Sequence, residues 1–482
     1  MLGQQGPAAA LENWIDSRLF QQFLLYSSRC GWAPTPPQPR PGTVAMPKCG
    51  PWRLSATLLA LTCGLTFLTS TAIAASPKVF DVRKLGARGD GKTLDTTSIQ
   101  KALDAAGKAG GAVVRFRSGT YLSQPIHLPT CTTLLLDKGA TLKATDDPKD
   151  YLPADVSWSD ILDGRSRGPF INFVNGKDLA DVVITGKGTI DGSGARWWEP
   201  AEEARRKVPN YTLPRPNLIR IADCKGLKVT GITLKNSPKF HLVPENCEDV
   251  LIEGVTILAP PGAANTDAID PSSSRRVMIT NCVIDVGDDN VAIKAGRKIP
   301  GREFACEDIT VTDCVIRHGH GISIGSETAG GVRNVTVRRC SFENTDNGLR
   351  IKSPRGRGGR VENVSYSDIT MTNVNPAILI TCYYPKIPLE DEAVPMTSET
   401  PIFQNLRISH LQATCVRNAG IIIGLPESPV KGVVLEDIRI TSATEGLTIR
   451  NAQAVELKNV KVHPAEGPPF IVKDAQVQGL ED

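Results

Sequence analysis

The chain has 482 residues, of which 40% are hydrophobic and 22% are charged, and its formal net charge at pH 7 is +4. This composition excludes a disordered chain, and so small a charge excludes a general attraction to nucleic acid. Residues 1–74 hold five of the basic and two of the acidic residues, so the remainder is nearly neutral. We therefore expect any affinity for an anionic ligand to be local.

The amino-terminal residues predict two segments that precede the folded domain. Residues 1–45 are rich in proline near their end and indicate a start-site artefact or a disordered extension. From Met46 a basic stretch leads into an apolar run over 54–68, which is followed by the small residues Ala72-Ile73-Ala74. This order is typical of a secretory signal peptide, which we place over residues 46–74. We expect a secreted or periplasmic protein without a membrane anchor.

Residues 75–482 predict a single domain built from short repeats. Each repeat has a turn residue followed by apolar, polar and apolar residues, and most repeats lie about 22–32 residues apart. A propeller would show antiparallel blades and a leucine-rich repeat its Leu/Asn consensus, and neither pattern is present. Short strands at every repeat, with almost no helical periodicity, predict an all-β fold, a right-handed parallel β-helix.

One helix is predicted near the start of this domain. Asp95 is placed as its N-cap, and Ile99, Leu103 and Ala106 follow at helical spacing before Gly110-Gly111. An open end of a solenoid exposes strand edges, so a helix there would cap it.

Three of the nine cysteines beyond Ala74 occupy equivalent places in successive repeats, Cys282, Cys314 and Cys340. Alternation along the strands points them inward, where free thiols behave as small hydrophobic side chains. We expect a buried ladder of free thiols rather than metal ligands.

Four short polar islands fall at equivalent places in the middle repeats. They are Asn265-Thr266-Asp267, Gly287-Asp288-Asp289, Gly319-His320-Gly321 and Arg350-Ile351-Lys352. The steps from Asp267 to Asp289, His320 and Arg350 are 22, 31 and 30 residues, about one coil each. Because neighbouring strands lie roughly 4.8 Å apart, we expect the islands to stack in one column. Asp288 and Asp289 can reach one cleft only if the backbone bends, which Gly287 permits.

Three carboxylates, a histidine, an arginine and a lysine in one groove predict acid/base cleavage of an anionic polymer. Glycoside hydrolysis uses two carboxyl groups across the scissile bond, and a third nearby raises the pKa of the acid by repulsion. No Cys/His cluster has the spacing of a zinc site, so we expect no metal and no cofactor.

The islands, in this order, resemble those of the polygalacturonases of glycoside hydrolase family 28, and in particular its bacterial endo-acting members. The resemblance covers about residues 85–465 and includes further motifs: Thr189-Ile190-Asp191-Gly192, Asn236-Ser237-Pro238-Lys239-Phe240-His241, Asp289-Asn290-Val291-Ala292-Ile293-Lys294, Gly321-Ile322-Ser323-Ile324-Gly325-Ser326-Glu327 and Asn347-Gly348-Leu349. It implies the same fold and a monomer that hydrolyses α-1,4-galacturonosyl linkages in polygalacturonate or pectin with inversion.

The resemblance also implies residue roles. Asp288 is the general acid, Asp267 and Asp289 hold and deprotonate the attacking water, and His320 tunes the acid. The implied substrate-binding residues are Asn265, Arg350, Lys352, Lys294 and Tyr384, with Tyr383 left open as an alternative to Tyr384.

Several alternatives remain open at this point. The chain could be an exo-acting enzyme or a hydrolase of rhamnogalacturonan or xylogalacturonan. A pectate lyase would share the fold but needs calcium, and a non-catalytic glycan-binding β-helix would need no such carboxylates. The cationic segment Arg355-Gly356-Arg357-Gly358-Gly359-Arg360 is either a rim contact to a polyanion or a solvated turn.

Overall fold

The computed structural model describes residues 77–208, 212–296 and 305–480. The predicted amino-terminal extension over 1–45 and the signal peptide over 46–74 lie outside these residues. Within the described ranges, no helix has the length and apolar character needed to cross a membrane.

The fold is the predicted right-handed parallel β-helix. Each full coil adds a strand to three stacks of parallel strands, visited in the order site stack, broad stack, narrow stack. The site stack contains Ile126–His127, Leu242–Glu245, Val291–Ile293, Ile322–Ile324, Leu349–Lys352, Ile378–Thr381 and Gly420–Ile423. The broad stack contains Val79–Asp81, Ala112–Phe116, Thr132–Leu136, Glu248–Glu253, Arg275–Thr280, Cys306–Thr312 and Val332–Arg338.

The narrow stack contains Asp90–Leu94, Gly119–Ser123, Ala140–Ala144, Thr189–Asp191, Thr233–Lys235, Thr256–Leu258, Val283–Asp285, Val315–Arg317 and Ser341–Glu343. Seven longer strands bend at a corner and join more than one stack: Val174–Gly186, Ile219–Thr230, Arg360–Val374, Ile402–Cys415, Val430–Ser442, Leu447–Pro464 and Phe470–Gln478.

The core runs along the axis as rows of identical or similar side chains. Ile293, Ile324, Ile351, Ile380 and Ile422 pair in register from strand to strand, and each is at most 2% exposed. Full burial of such a side chain contributes about 1.5–3 kcal/mol. Because alternate residues point outward, the same register places polar side chains on the outer face of the site stack.

The cysteine ladder is confirmed. Cys282, Cys314 and Cys340 are at most 2% exposed and carry free thiols. Each follows a residue with positive φ at the corner between broad and narrow stacks, as Asn281 (+54°) and Asp313 (+57°) illustrate. Asn and Asp tolerate this left-handed conformation better than most residues, so they set the corner.

The predicted helix spans Thr96–Lys108 and buries Ile99, Leu103 and Ala106. Asp95 is at its N-cap position, but its carboxylate does not bond to the first turn. It accepts instead from the backbone N–H groups of Arg88 (2.7 Å) and Gly89 (2.9 Å), which ties the preceding turn to the helix start.

Two further helices, Trp158–Leu162 and Ala195–Lys207, were not predicted, and neither were the 3-10 turns Val82–Leu85 and Pro148–Tyr151. The buried Trp197 joins them, because its ring packs edge-on against Tyr151, Trp158 and Phe170 at 5.1–6.1 Å. This aromatic group fastens the insertions to the solenoid.

Candidate active site

The four polar islands stack as predicted: the first three lie in turns that precede a site-stack position, and the fourth lies within the site-stack strand Leu349–Lys352. The backbone N–H of Ala268 donates to the carbonyl of Asp289, and that of His320 donates to the carbonyl of Asp288, both at 2.9 Å. The strand after His320 pairs in register with the strand that carries Arg350. Asp267 and Arg350, 83 residues apart in sequence, therefore share one outer face.

The bend between the two adjacent aspartates is present and depends on a close approach. A Cβ on Gly287 would lie 2.6 Å from backbone atoms of Ala263, so only glycine fits there. Both carboxylates then face His320, whose Nδ1 lies 3.0 Å from Asp288 Oδ1 and 3.9 Å from Asp289 Oδ1. The backbone N–H of Asp289 also donates to Asp288 Oδ1 at 2.8 Å.

Asp289 is 3% exposed and is surrounded by donors. It accepts from Ser323 Oγ at 2.7 Å, Arg350 Nη1 at 3.1 Å and Lys352 Nζ at 2.9 Å. Burial would raise the pKa of Asp289, but the charges of Lys352 and Arg350 outweigh it and hold that pKa well below its usual range. Asp289 is therefore an ionised carboxylate, and both cations are already paired before any substrate binds.

Asp288 and His320 form a charged pair that extends to Asp346. His320 Nε2 lies 3.4 Å from Asp346 Oδ2, on the side opposite Asp288. Burial would lower the pKa of His320, but hydrogen bonds to Asp288 and Asp346 raise it to about 10. Burial would likewise raise the pKa of Asp288, and the hydrogen bond and charge of His320 outweigh it and lower that pKa.

The expectation that crowding would raise the pKa of Asp288 is therefore wrong for the free site, because the imidazolium next to it overrides carboxylate repulsion. The raised pKa belongs to Asp267, which is 3% exposed. Burial raises the pKa of Asp267 well above its usual range, against the opposing charge of Lys294. Asp267 Oδ1 is buried without a hydrogen-bond partner among the described residues, which fits a carboxyl that is not fully ionised.

Lys294 is paired with two carboxylates. Its ammonium lies 3.1 Å from Asp267 Oδ2 and 2.5 Å from Asp270 Oδ2. Although burial lowers the pKa of Lys294, these two aspartates raise it well above its usual range. The implied role of Lys294 in substrate binding stays a prediction, and in the free site its ammonium holds the carboxyl groups of Asp267 and Asp270.

Asn265 links the column to a buried arginine. Arg215 Nη2 donates to Asn265 Oδ1 at 2.7 Å, and Asn265 Nδ2 faces Asp288 Oδ2 at 3.5 Å. Fixing the amide oxygen leaves the amide NH₂ pointing at Asp288. Arg215 lies outside the repeats, so no spacing signal identified it.

The structure brings Tyr384 to the site and not Tyr383. Tyr384 is 37% exposed, and its ring centroid lies 5.4 Å from Lys352 Nζ and 6.0 Å from the Arg350 guanidinium carbon. Tyr383 is buried and donates its hydroxyl to Asp391 at 2.7 Å. A ring over two cations leaves one apolar wall at this end of the site.

The cationic segment after Lys352 is not a free rim. Arg355 bonds to Glu427 at 2.6 Å and Asp391 at 2.7 Å, which anchors the loop after Tyr384. Arg357, the more exposed residue, lies 3.6 Å from Glu327. Opposite charges therefore already neutralise this segment, and neither earlier interpretation describes Arg355.

Three further residues were missed and have a recognisable signal in hindsight. Asp270 follows Asp267 at the next outward position of the coil, Ser323 shares the register of Arg350, and Asp346 immediately precedes the motif Asn347-Gly348-Leu349. Reading the strand register outward from the islands would have found the first two.

Asp288, Asp289 and His320 also place three potential donor atoms within 4.8 Å of one another. A divalent cation would have to displace Arg350 and Lys352 from Asp289 and the proton from His320. The protein's own cations thus already neutralise the two carboxylates, and this group of three side chains fits a metal ion poorly.

The chain is similar to known proteins in both sequence and fold. A family model described as "Glycosyl hydrolases family 28" matches residues 135–463. An endo-polygalacturonase from Pectobacterium carotovorum subsp. carotovorum is 38% identical over 302 residues, 60% of this chain and 72% of that protein.

Two solved structures share the fold. A polygalacturonase from Erwinia carotovora ssp. carotovora is 31% identical with a TM-score of 0.63, over 80% of this chain and 94% of that one. An exopolygalacturonase from Thermotoga maritima is 27% identical with a TM-score of 0.62, over 82% and 92% of the respective chains. Endo- and exo-acting enzymes are thus both among the similar proteins.

Proposed function

Because the chain belongs to glycosyl hydrolase family 28, we propose that it hydrolyses α-1,4-galacturonosyl linkages in polygalacturonate and pectin. The observation that carries this proposal is one cleft in which Asp289 sits between two cations while Asp288 shares a proton with His320. A uronate polymer matches such a cleft because its carboxylate needs local positive charge and its glycosidic bond needs an acid.

The acid of the proposed reaction is Asp288. In the free site the shared proton is on His320, 3.0 Å away. As substrate excludes water, Asp288 takes this proton from Nδ1 and passes it to the glycosidic oxygen while the C1–O bond breaks. His320 is thus the proton reserve of the acid, and Asp346 keeps that reserve filled.

The base of the proposed reaction is Asp289. It is ionised, and its oxygens are held by Ser323, Arg350 and Lys352. A water that attacks C1 from the face opposite the leaving oxygen transfers its proton to this carboxylate, and Asp267 accepts a hydrogen bond from or donates one to the same water. A carboxylate already bonded to three donors is better suited to hold water than to attack carbon, which favours inversion over a covalent intermediate.

Arg350 and Lys352 serve both the base and the substrate. They are 13% and 6% exposed in their side chains, so each has a small open surface towards the cleft. Arginine offers a planar fork with five donors, of which Nη1 alone is bonded to Asp289. A galacturonate carboxylate can therefore bind to the outer edge of Arg350 without releasing Asp289.

Internal cleavage is proposed from the similarity to the endo-acting relative, a monomeric state from the resemblance to the family, and export from the amino-terminal sequence. Chromatography of early products from polygalacturonate tests the function. A ladder of oligogalacturonates supports internal hydrolysis, monomers alone would indicate an exo-acting enzyme, and activity confined to rhamnogalacturonan or xylogalacturonan would refute the proposed substrate. Binding without release of reducing ends would identify a glycan-binding protein.

A further inference from the structure

Lys239 lies on the far side of the carboxylate column from Arg350 and Lys352. It precedes the site-stack strand Leu242–Glu245 by three residues. Parallel pairing from Leu242 to Leu349 passes through three intermediate positions, so four strand spacings separate the two residues. At roughly 4.8 Å per strand, about 19 Å of the axis separates the two cationic positions, and the carboxylates lie between them.

The ammonium of Lys239 is held near the site without a carboxylate of its own. Its Nζ lies 4.4 Å from the ring centroid of Phe240, and Lys294 Nζ lies 4.2 Å from the same ring. Lys294 takes both Asp267 and Asp270, and no acidic side chain in the described ranges pairs with Lys239. Burial, with Arg215 and Lys294 adding to it, lowers the pKa of Lys239 to about 8.

The backbone that carries Lys239 is fixed by contacts on both sides. Arg215 Nη1 donates to the carbonyls of Pro238 at 2.8 Å and Ala264 at 2.9 Å. The Lys239 N–H donates to Ser237 Oγ at 3.3 Å. One buried guanidinium therefore positions both Lys239 and the island that contains Asp267.

We propose that Lys239 binds the carboxylate of a uronate residue on the opposite side of the scissile bond from Arg350 and Lys352. This inference rests on the proposed function, since it assumes that a uronate chain lies along the column. An anion at Lys239 supplies a direct ion-pair partner, which no acidic side chain in the described ranges provides. With a cationic contact on each side, the chain is held in one register over Asp288 and Asp289, and a free carboxylate is selected at both positions.

The test compares Lys239→Met, which keeps the length and loses the charge, with Lys239→Arg, which keeps the charge. Lys228→Met, an exposed lysine on the broad stack, is the control. With end-labelled hexagalacturonate, Lys239→Met should raise KM about tenfold to a hundredfold, leave kcat within about twofold and redistribute the cleaved bonds. Lys239→Arg should retain most of the wild-type pattern. Unchanged KM and bond distribution in Lys239→Met would overturn the inference.

A second measurement needs no variant. Oligogalacturonates carrying a single methyl ester at the position that faces Lys239 should bind the wild-type enzyme about tenfold more weakly than the free acid. Equal KM for ester and acid would refute the role of Lys239 even if Lys239→Met failed to fold. Wild-type enzyme inactive on every uronate substrate would instead refute the proposed function.

Discussion

His320 Nδ1 lies 3.0 Å from Asp288 Oδ1, and the same ring reaches Asp346 through Nε2 at 3.4 Å. This pairing favours the proton on His320 in the free site. The pKa of His320 is raised to about 10, against the effect of burial, by hydrogen bonds to both aspartates, with the charge of Asp289 adding to them. Asp288 and His320, the proposed acid and its proton reserve, therefore titrate as one coupled cluster.

Replacing Asp346 tests that cluster. Asp346→Asn removes one group that raises the pKa of His320, so the imidazolium should be lost at lower pH. The alkaline limb of kcat/KM should move to lower pH by on the order of one unit, because the exposed Asp346 is screened by solvent. A pH–rate profile measures this. Asp368→Asn, next to the surface residue His410, is the matched control and should leave the profile unchanged. An unmoved alkaline limb in Asp346→Asn would show that His320 does not supply the proton.

Removing either Lys352 or Arg350, the two cations proposed to bind substrate, should affect binding and chemistry together. Lys352→Met takes from Asp289 a partner at 2.9 Å, so the pKa of Asp289 should rise and the acidic limb of the profile should shift upward. KM should rise by about tenfold or more, since a charge-assisted contact to substrate is also lost. Arg350→Ala should likewise raise KM and shift the acidic limb. Lys431→Met, on the broad stack, is the control and should change neither. Reduced kcat with KM unchanged in both site variants would contradict a role in binding.

Much of this site follows from spacing alone. The islands recur at about the coil length, so the stacking of Asp267, Asp289 and Arg350 could be predicted from their spacing. Alternation along the strands predicted which side chains point inward, such as the cysteines, and which charges point outward. Protonation could not be predicted, because it depends on burial and on which cation reaches which carboxylate. The burial of Asp267, which outweighs the charge of Lys294, and the contact of His320 with Asp288 reverse the expected assignment of the raised pKa.

Irregular segments were the other part that periodicity could not predict. The helix Ala195–Lys207 contains Pro200 and many charges, and it exists because Trp197 packs into an aromatic group. Arg215 lies in a connection with no repeat, yet its guanidinium bonds to three backbone carbonyls and to Asn265. Tertiary contacts, rather than local sequence preference, determine the positions of this helix and of Arg215.

Arg215 should be important for stability as well as for activity. Arg215→Met leaves the carbonyls of Leu213, Pro238 and Ala264 without a donor, at a cost of about 1–3 kcal/mol for each group left unpaired. We expect a loss of at least about 3 kcal/mol in the free energy of unfolding and a lower kcat, since Asn265 is released. Chemical denaturation and steady-state kinetics measure both. Arg220→Met, which breaks a half-exposed pair with Glu245, should cost less than about 1 kcal/mol. Equal losses in the two variants would contradict the positioning role.

The amino-terminal sequence predicts export with cleavage after Ala74. Amino-terminal sequencing of the exported protein should begin at Ala75. A mature protein that retains Met46 or the apolar run over 54–68 would refute this prediction, and a variant with Ala72→Leu and Ala74→Leu should remain unprocessed.

NMR of the first products from polygalacturonate tests hydrolysis at the acid–base pair formed by Asp288 and Asp289. We expect new reducing ends in the β configuration from the α-linked chain, full activity in EDTA, and loss of nearly all turnover in a folded Asp288→Asn variant. An amide cannot pass the proton of His320 to the leaving oxygen, whereas the stacking of the islands should survive the substitution. Reducing ends that appear first as the α-anomer, or unsaturated products that require a metal ion, would contradict this mechanism.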